Sequence, residues 1–265
     1  MSPLAGWTPL ASSPTDFPVT YFKSHDGLDL AYREMGAGRP VVLIHGLFSN
    51  GWVNWIRYGH AQLLADAGYR VIMPDLRGHG MSAAPHDAAF YPPDVLADDG
   101  ETLIQHLGLS DYDLGGYSLG GRTVLRMLVR GAKPRKAILS GMGLEGILDP
   151  NKRRDFFRHV LNGLGMHTRG SGAWMAEAFL KTTGGDPLAM LPLLDTFVAT
   201  SREEIAGIAI PTLVLSGVED HDNGSSADLA ALLPQGELIE IAGNHMTSVL
   251  QPSLGQSILE FLSQD

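Results

Sequence analysis

The sequence predicts an α/β fold, a mostly parallel, doubly wound sheet with a helical cap inserted before the late strands. Three observations predict it. From residue 41 to residue 140 short apolar strand patterns alternate with helical ones, as in parallel strands joined by right-handed crossovers. Across residues 142–207 the alternation stops and helical patterns follow one another, before Leu213-Val214-Leu215 resumes a strand. In the middle stands Gly115-Gly116-Tyr117-Ser118-Leu119-Gly120-Gly121, between the end of a short strand and the start of a helix.

The elements follow in order. Residues 19–24 and 28–35 read as two strands joined by the turn His25-Asp26-Gly27. Val41-Val42-Leu43-Ile44 is a run of four apolar residues, suited to a strand buried on both faces. It ends at His45-Gly46-Leu47-Phe48, and residues 52–67 then carry a helical pattern closed by Gly68. A strand over 69–73 stops at Pro74 and leads into Asp75-Leu76-Arg77-Gly78-His79-Gly80. A helix follows over 95–107, then the strand and helix around Ser118, with Val124, Leu125, Leu128 and Val129 on one helical face, then a strand over 136–140. Helical patterns over 153–164, 173–181 and 188–200 are separated by glycine-rich breaks. After the strand over 210–216 come a helix over 226–233, a strand over 237–241 and a final helix over 252–262. This divides the chain into a core of 1–141 and 208–265, with residues 1–18 as a proline-bearing N-terminal arm, and a cap of 142–207.

Bulk composition narrows the function. A net charge of −10 with scattered Lys and Arg is unsuited to a nucleic-acid or anionic-membrane surface. The absence of cysteine removes disulfides, thiolate chemistry and Cys-ligated zinc, and suits a reducing cytoplasm. No segment has the apolar length to span a membrane, and the first residues lack the pattern of a signal peptide. A soluble, cytoplasmic protein is expected, with no nucleic-acid or membrane partner. Oligomeric state is left open.

Strand, Gly-x-Ser-x-Gly, helix is the context of a nucleophile elbow. The serine sits on a sharp turn, and side chains at the flanking glycines would collide with their neighbours. Ser118 is therefore the expected nucleophile, with the new helix N-terminus aiming free N–H groups at the reacting atom. A serine hydroxyl must give up its proton to attack, and an imidazole can take it near neutral pH. The alternative is a glycine-rich turn whose serine merely caps the helix.

From about Val19 to Phe261 the chain resembles the α/β-hydrolase family. The resemblance rests on His45-Gly46, Asp75 to Gly80, Gly116-Tyr117-Ser118-Leu119-Gly120, a late acidic loop, and Gly243-Asn244-His245, all in the family's order. The stretch after His45-Gly46, with Asn50-Gly51-Trp52, looks most like small single-cap serine esterases. The resemblance implies a triad of Ser118, His245 and an acid, expected at Asp220, three residues beyond Gly217. Asp222, adjoining Glu219 and, from an alternative family placement, Glu145 remain rivals. It implies an oxyanion hole from the amides of Leu119 and Leu47, with Phe48 the rival to Leu47. His45 would prop the oxyanion loop, and His79 would shape the site. Phe48, Trp52 and Met246, with Leu47 and Leu119, are expected at the pocket mouth, Trp52 being as well suited to plain core packing.

No phosphate loop, dinucleotide fingerprint or metal-ligand spacing is present, so no cofactor and no metal is expected. The expected activity is hydrolysis of a small-to-medium, mostly apolar ester or lactone through an acyl-enzyme, the substrate being the one small-molecule partner. Carbon–carbon bond hydrolysis, cyanohydrin cleavage or perhydrolysis would use the same residues. The peracid branch usually carries a proline soon after His-Gly, and Leu47-Phe48-Ser49-Asn50 has none. A serine nucleophile argues against the epoxide-hydrolase and dehalogenase branches, which carry aspartate there. A non-catalytic small-ligand receptor is the alternative of another class.

Overall fold

The structure, a computed structural model, describes residues 17–264. All but the last two residues of the expected N-terminal arm lie outside those residues. Strands β1 (Thr20–Lys23) and β2 (Asp29–Met35) form an antiparallel hairpin turning at Gly27, whose φ of 85° favours glycine. β2 also pairs antiparallel with β4 (Tyr69–Pro74). Every later pairing is parallel: β4 with β3 (Arg39–Ile44), β3 with β5 (Asp113–Tyr117), β5 with β6 (Ala137–Ser140), β6 with β7 (Thr212–Gly217) and β7 with β8 (Gly236–Ile241). The eight strands lie in the order β1-β2-β4-β3-β5-β6-β7-β8. This is the mostly parallel, doubly wound sheet that the alternation predicts.

Period-two alternation divides the strand residues between the two faces. Val41, Leu43, Val71, Met73, Ile138, Leu213 and Leu215 pack beneath α1 (His60–Asp66) and α10 (Pro252–Ser263). Val42, Ile44, Ile72, Leu114, Leu139 and Val214 pack beneath α2 (Val95–His106), α3 (Leu119–Val129) and α9 (Ser226–Leu232). β5, β6 and β7 are buried at every residue, which is why they read as continuous rather than alternating apolar runs.

Two stretches differ from their expected form. The helix expected over 52–67 is a π-helical turn, Trp52–Ile56, followed by the separate α1. Gly59, at φ 83°, breaks them apart, since a left-handed residue cannot continue a right-handed helix. The helix expected over 188–200 is α7 (Pro187–Leu193) and a 3₁₀ turn, Leu194–Thr196, with an irregular link beyond.

Between β6 and β7 run α4 (Leu144–Leu148), α5 (Asn151–Asn162), α6 (Gly172–Thr183), α7 and α8 (Arg202–Ala206). Leu161, Leu180, Met190 and Leu193 of these helices join the same apolar cluster as Ile44 and Leu119. Polar ties add register: the Thr183 hydroxyl donates to the Phe48 carbonyl at 2.6 Å, and Asp94 N–H donates to the Thr196 carbonyl at 3.1 Å. Residues 142–207 are thus packed onto the end of the sheet where β3, β5, β7 and β8 finish.

Candidate active site

Ser118 follows the last residue of β5 and precedes the first of α3, at φ 54° and ψ −113°. Positive φ in a non-glycine residue is strained, and the surroundings must hold it. Two glycines permit that turn. A Cβ on Gly116 would lie 2.3 Å from the Gly120 carbonyl carbon, and one on Gly120 would lie 2.1 Å from the Ile44 oxygen. The elbow helix begins at Leu119, three residues earlier than its apolar pattern suggests, because Gly120 packs directly on the end of β3.

His245 lies in the loop after β8, and Asp220 in the loop after β7. The Nδ1–H of His245 donates to Asp220 Oδ2 at 2.8 Å, which leaves Nε2 to accept the Ser118 hydroxyl at 2.9 Å. His245 and Asp220 are both buried. Burial pushes the Asp220 carboxyl up, but the His245 hydrogen bond and charge outweigh it and hold the group below its ordinary value. Tyr117 supports the imidazole from behind: its hydroxyl donates to the His245 carbonyl at 2.7 Å, and the rings lie 5.6 Å apart.

The rival acids are placed elsewhere. Asp222 is exposed and pairs with Arg153 at 3.1 Å. Glu145 accepts the Ser225 N–H at 2.7 Å, and Glu219 is exposed. Asp220, Asp222 and His245 bring possible ligand atoms within 4.8 Å of one another. Their engagement with each other and with Arg153 makes them a poor donor set for a cation.

The loop after β3 is held by two buried histidines. His45 Nδ1–H donates to the Gly46 carbonyl at 2.8 Å, and its Nε2 accepts the Leu76 N–H at 2.9 Å. His79 Nδ1–H donates to the Arg77 carbonyl at 3.1 Å, and its Nε2 accepts the Phe48 N–H at 3.1 Å. Acceptor nitrogens require neutral rings. Burial supplies that state, lowering His45 to about 4 and, with the neighbouring His45, His79 to about 3. Gly46 N–H is taken by Asn54 Oδ1 at 3.1 Å and Ser49 N–H by the Gly46 carbonyl at 3.1 Å. Leu47 N–H has no acceptor among the described residues, and neither has Leu119 N–H at the start of α3. Gly46 is where this loop closes on the serine, since a Cβ there would lie 3.4 Å from Ser118 Cβ.

Leu47, Ser118, Leu119, Arg122, Met142, Arg153, Phe157, Phe197 and Asn223 line a shallow cleft beside the serine. Three residues expected at its mouth are displaced from it. Trp52 packs with Trp55, Tyr117 and Leu254 on the α1/α10 face, because the π-helical turn points it beneath the sheet. Phe48 is buried behind the wall, edge-on to Phe157 with centroids 5.3 Å apart. Met246 is 43% exposed and takes no part in the cleft lining. The sequence reading misses Arg122, Arg153 and Asn223. Arg122 carries a signal: it lies one helical turn beyond Ser118, on the face that Gly121 and Leu125 share with the core.

The arrangement can move a proton from a hydroxyl to an imidazole beside two free amides. A sequence profile of the alpha/beta hydrolase fold matches residues 39–197. A non-heme haloperoxidase of Rhodococcus erythropolis is 37% identical, over 92% of this chain and 99% of its own. The non-heme chloroperoxidase CPO-A1 of Kitasatospora aureofaciens is 30% identical, over 91% and 98% respectively. Among solved structures, a thermophilic esterase from Thermogutta terrifontis superposes with a TM-score of 0.75 at 25% identity, covering 92% of this chain and 98% of that one.

Proposed function

The chain belongs to the alpha/beta hydrolase fold family, and within it we propose that it is a serine hydrolase cleaving a small-to-medium carboxylic ester or lactone through an acyl-enzyme. The observation that carries this reading is the continuous hydrogen-bonded chain from Ser118 through His245 to Asp220. In the first half-reaction Nε2 of His245 takes the Ser118 proton as the oxygen attacks the carbonyl carbon. The carbonyl oxygen becomes an oxyanion that accepts from Leu47 and Leu119 N–H, and the Asp220 carboxylate stabilises the imidazolium. The imidazolium then gives its proton to the leaving alkoxide, and Ser118 keeps the acyl group. Water, losing its proton to His245, releases the acid by the same steps in reverse order.

The mostly apolar substrate is supported by Leu47, Leu119, Met142, Phe157 and Phe197 around the serine. Residues 142–207 act as the cap that supplies Met142, Phe157 and Phe197 and limits the water reaching the acyl group. The test is incubation with a fluorophosphonate followed by peptide mass mapping. A single adduct at Ser118 is expected, together with a loss of roughly a thousandfold or more in ester turnover for Ser118→Ala. An alanine variant keeping more than a few per cent of turnover sinks the reading.

A second reading draws on the haloperoxidase names of the two relatives. Hydrogen peroxide in place of water would take the acyl group from Ser118 as a peracid, which oxidises halide outside the site. Bromination that needs hydrogen peroxide, bromide and a carboxylic acid together would mark this activity, and its absence would leave hydrolysis alone.

A further inference from the structure

The wall of the cleft holds a positive charge that has no counterion. Arg122 extends from the first turns of α3 and is 6% exposed. Its Nη2 donates to the Gly146 carbonyl, and its guanidinium lies 5.5 Å from the Phe197 ring centroid. Nη1 is buried and has no hydrogen-bond partner. The nearby carboxylates are engaged elsewhere: Asp94 with Arg126 at 2.7 Å, Asp222 with Arg153 at 3.1 Å, and Glu145 with the Ser225 amide. Burial, then the neighbouring Arg153, lower Arg122 to about 10, so it is still protonated at neutral pH. A buried cation lacking both a counterion and a full set of acceptors is costly, and folding alone gives no reason to keep it.

Arg122 shares the cleft lining with Ser118. Arg153 stands in the same wall, its guanidinium 4.8 Å from the Phe157 centroid. The remaining wall is apolar apart from Asn223, whose amide is turned to the Gly141 carbonyl at 2.9 Å. Charge is thus offered in the same cleft lining as the serine. The chain's net charge of −10 makes two arginines side by side here stand out further. Counterion and solvent screening mute the distant negative charges over about 8–10 Å, while a contact pair in the cleft keeps most of its strength.

We propose that Arg122, flanked by Arg153, binds a carboxylate carried by the substrate, so that the ester or lactone is a small anion with an apolar body. This rests on the serine-hydrolase reading for the reaction, but the binding of the carboxylate does not. A guanidinium matches a carboxylate with paired N–H donors, and Nη1 would gain the acceptor it lacks.

The experiment has a binding arm and a kinetic arm. In the first, the Ser118→Ala protein is titrated calorimetrically with glutarate and with 1,5-pentanediol, which has the same carbon chain and no charge. Glutarate is expected to bind at least about tenfold tighter, and Arg122→Met in that background is expected to abolish the preference. Arg122→Lys should restore part of it, since it returns the charge without the fork. In the second arm, mono-p-nitrophenyl glutarate is compared with p-nitrophenyl 5-methylhexanoate, in which an isopropyl group replaces the carboxylate. The ratio of their kcat/KM values should fall about 10–100-fold in Arg122→Met, chiefly through KM for the anion. A merely structural arginine would change both esters alike. Equal binding of diacid and diol, or a preference that survives Arg122→Met, overturns the proposal. If Arg122→Met does not fold, as judged by circular dichroism and melting, the diacid–diol comparison on Ser118→Ala and Arg122→Lys decides alone. Failure of the serine mechanism would appear separately, as no adduct at Ser118 with glutarate still bound.

Discussion

The amide of Phe48 donates to Nε2 of His79 at 3.1 Å, so it is not free to meet a developing oxyanion. The same bond fixes the backbone of Phe48 at φ 63°, a left-handed conformation that a bulky residue does not hold unaided. His79 therefore occupies the Phe48 amide, while Leu47 N–H has no acceptor among the described residues.

His79→Ala is expected to let this loop relax. Because an oxyanion donor acts on the transition state more than on the ground state, kcat should fall about 10–100-fold with little change in KM. His79→Gln, whose amide oxygen can accept from Phe48, should recover part of the loss. Steady-state kinetics beside melting curves checks this, and an unchanged kcat in a folded His79→Ala protein would remove the role.

Stability should decline as the solution is made mildly acidic. Burial lowers His45 and His60 to about 4, and burial with the neighbouring His45 lowers His79 to about 3, against an ordinary value of 6.5. Between those folded values and 6.5 the unfolded chain binds more protons than the native one, so stability rises with pH there. The contribution is complete above 6.5 and is lost as pH falls towards 4 and 3. Each histidine adds a slope of at most about 1.4 kcal/mol per pH unit. His60 offers the cleanest check, since it is absent from the cleft lining and, among the described residues, its ring hydrogen-bonds the Val249 carbonyl alone, at 2.8 Å. His60→Gln should flatten the dependence of Tm on pH between about 5 and 6.5, and an equally steep curve would be against this account.

The choice of acid can be measured directly. Asp220→Asn keeps the size of the side chain but cannot stabilise an imidazolium, and it invites the wrong tautomer at His245. A loss of roughly 10³–10⁴ in kcat is expected, on the scale seen for triad acids generally. Asp222→Asn removes only an exposed partner of Arg153 and should cost about tenfold or less. Comparable small losses in both variants would move the role elsewhere.

Much of this arrangement is readable before any coordinates. Ser118, His245 and Asp220 stand at strand ends, and apolar runs bounded by glycine mark those ends plainly. The choice between Leu47 and Phe48 is not readable, because a backbone amide has no residue signature and the deciding contact comes from His79, 31 positions away. Trp52 is misleading for a related reason: its face depends on a π-helical turn ended ahead of Gly59, and the continuous helical pattern over 52–67 conceals it. α8 does carry a start signal, since Ser201 and Glu204 form a reciprocal capping box. Arg122 is easily passed over because arginine is ordinary on a helix surface: its one sequence signal is its place a turn beyond Ser118, and the packing of α3 against Gly146 and Phe197 shows that it is inside.

In the proposed acyl transfer, the size of the acyl group is set where the segment after β6 meets the serine. Phe157 of α5 and Phe197 line the cleft together with Leu47 and Leu119, and Phe157 is fixed edge-on by both Phe48 at 5.3 Å and Phe156 at 5.2 Å. Of the apolar residues of segment 142–207, Met142, Phe157 and Phe197 line the cleft, while Leu161 is buried among the helices and Trp174 and Met175 are exposed. The wall therefore depends on few residues, and one truncation should open it. In a series of p-nitrophenyl esters, kcat/KM for the native chain should peak at short or medium acyl chains, since each methylene that fits gains about 0.8 kcal/mol and each that does not meets Phe157. Phe157→Ala should move that maximum towards longer chains, with about tenfold gains for acyl groups the native cleft excludes. Because the cleft also offers Arg122, absolute rates on these neutral esters matter less than the position of the maximum. Activity that still rises with long acyl chains in the native protein would show that Phe157 and Phe197 do not close the cleft.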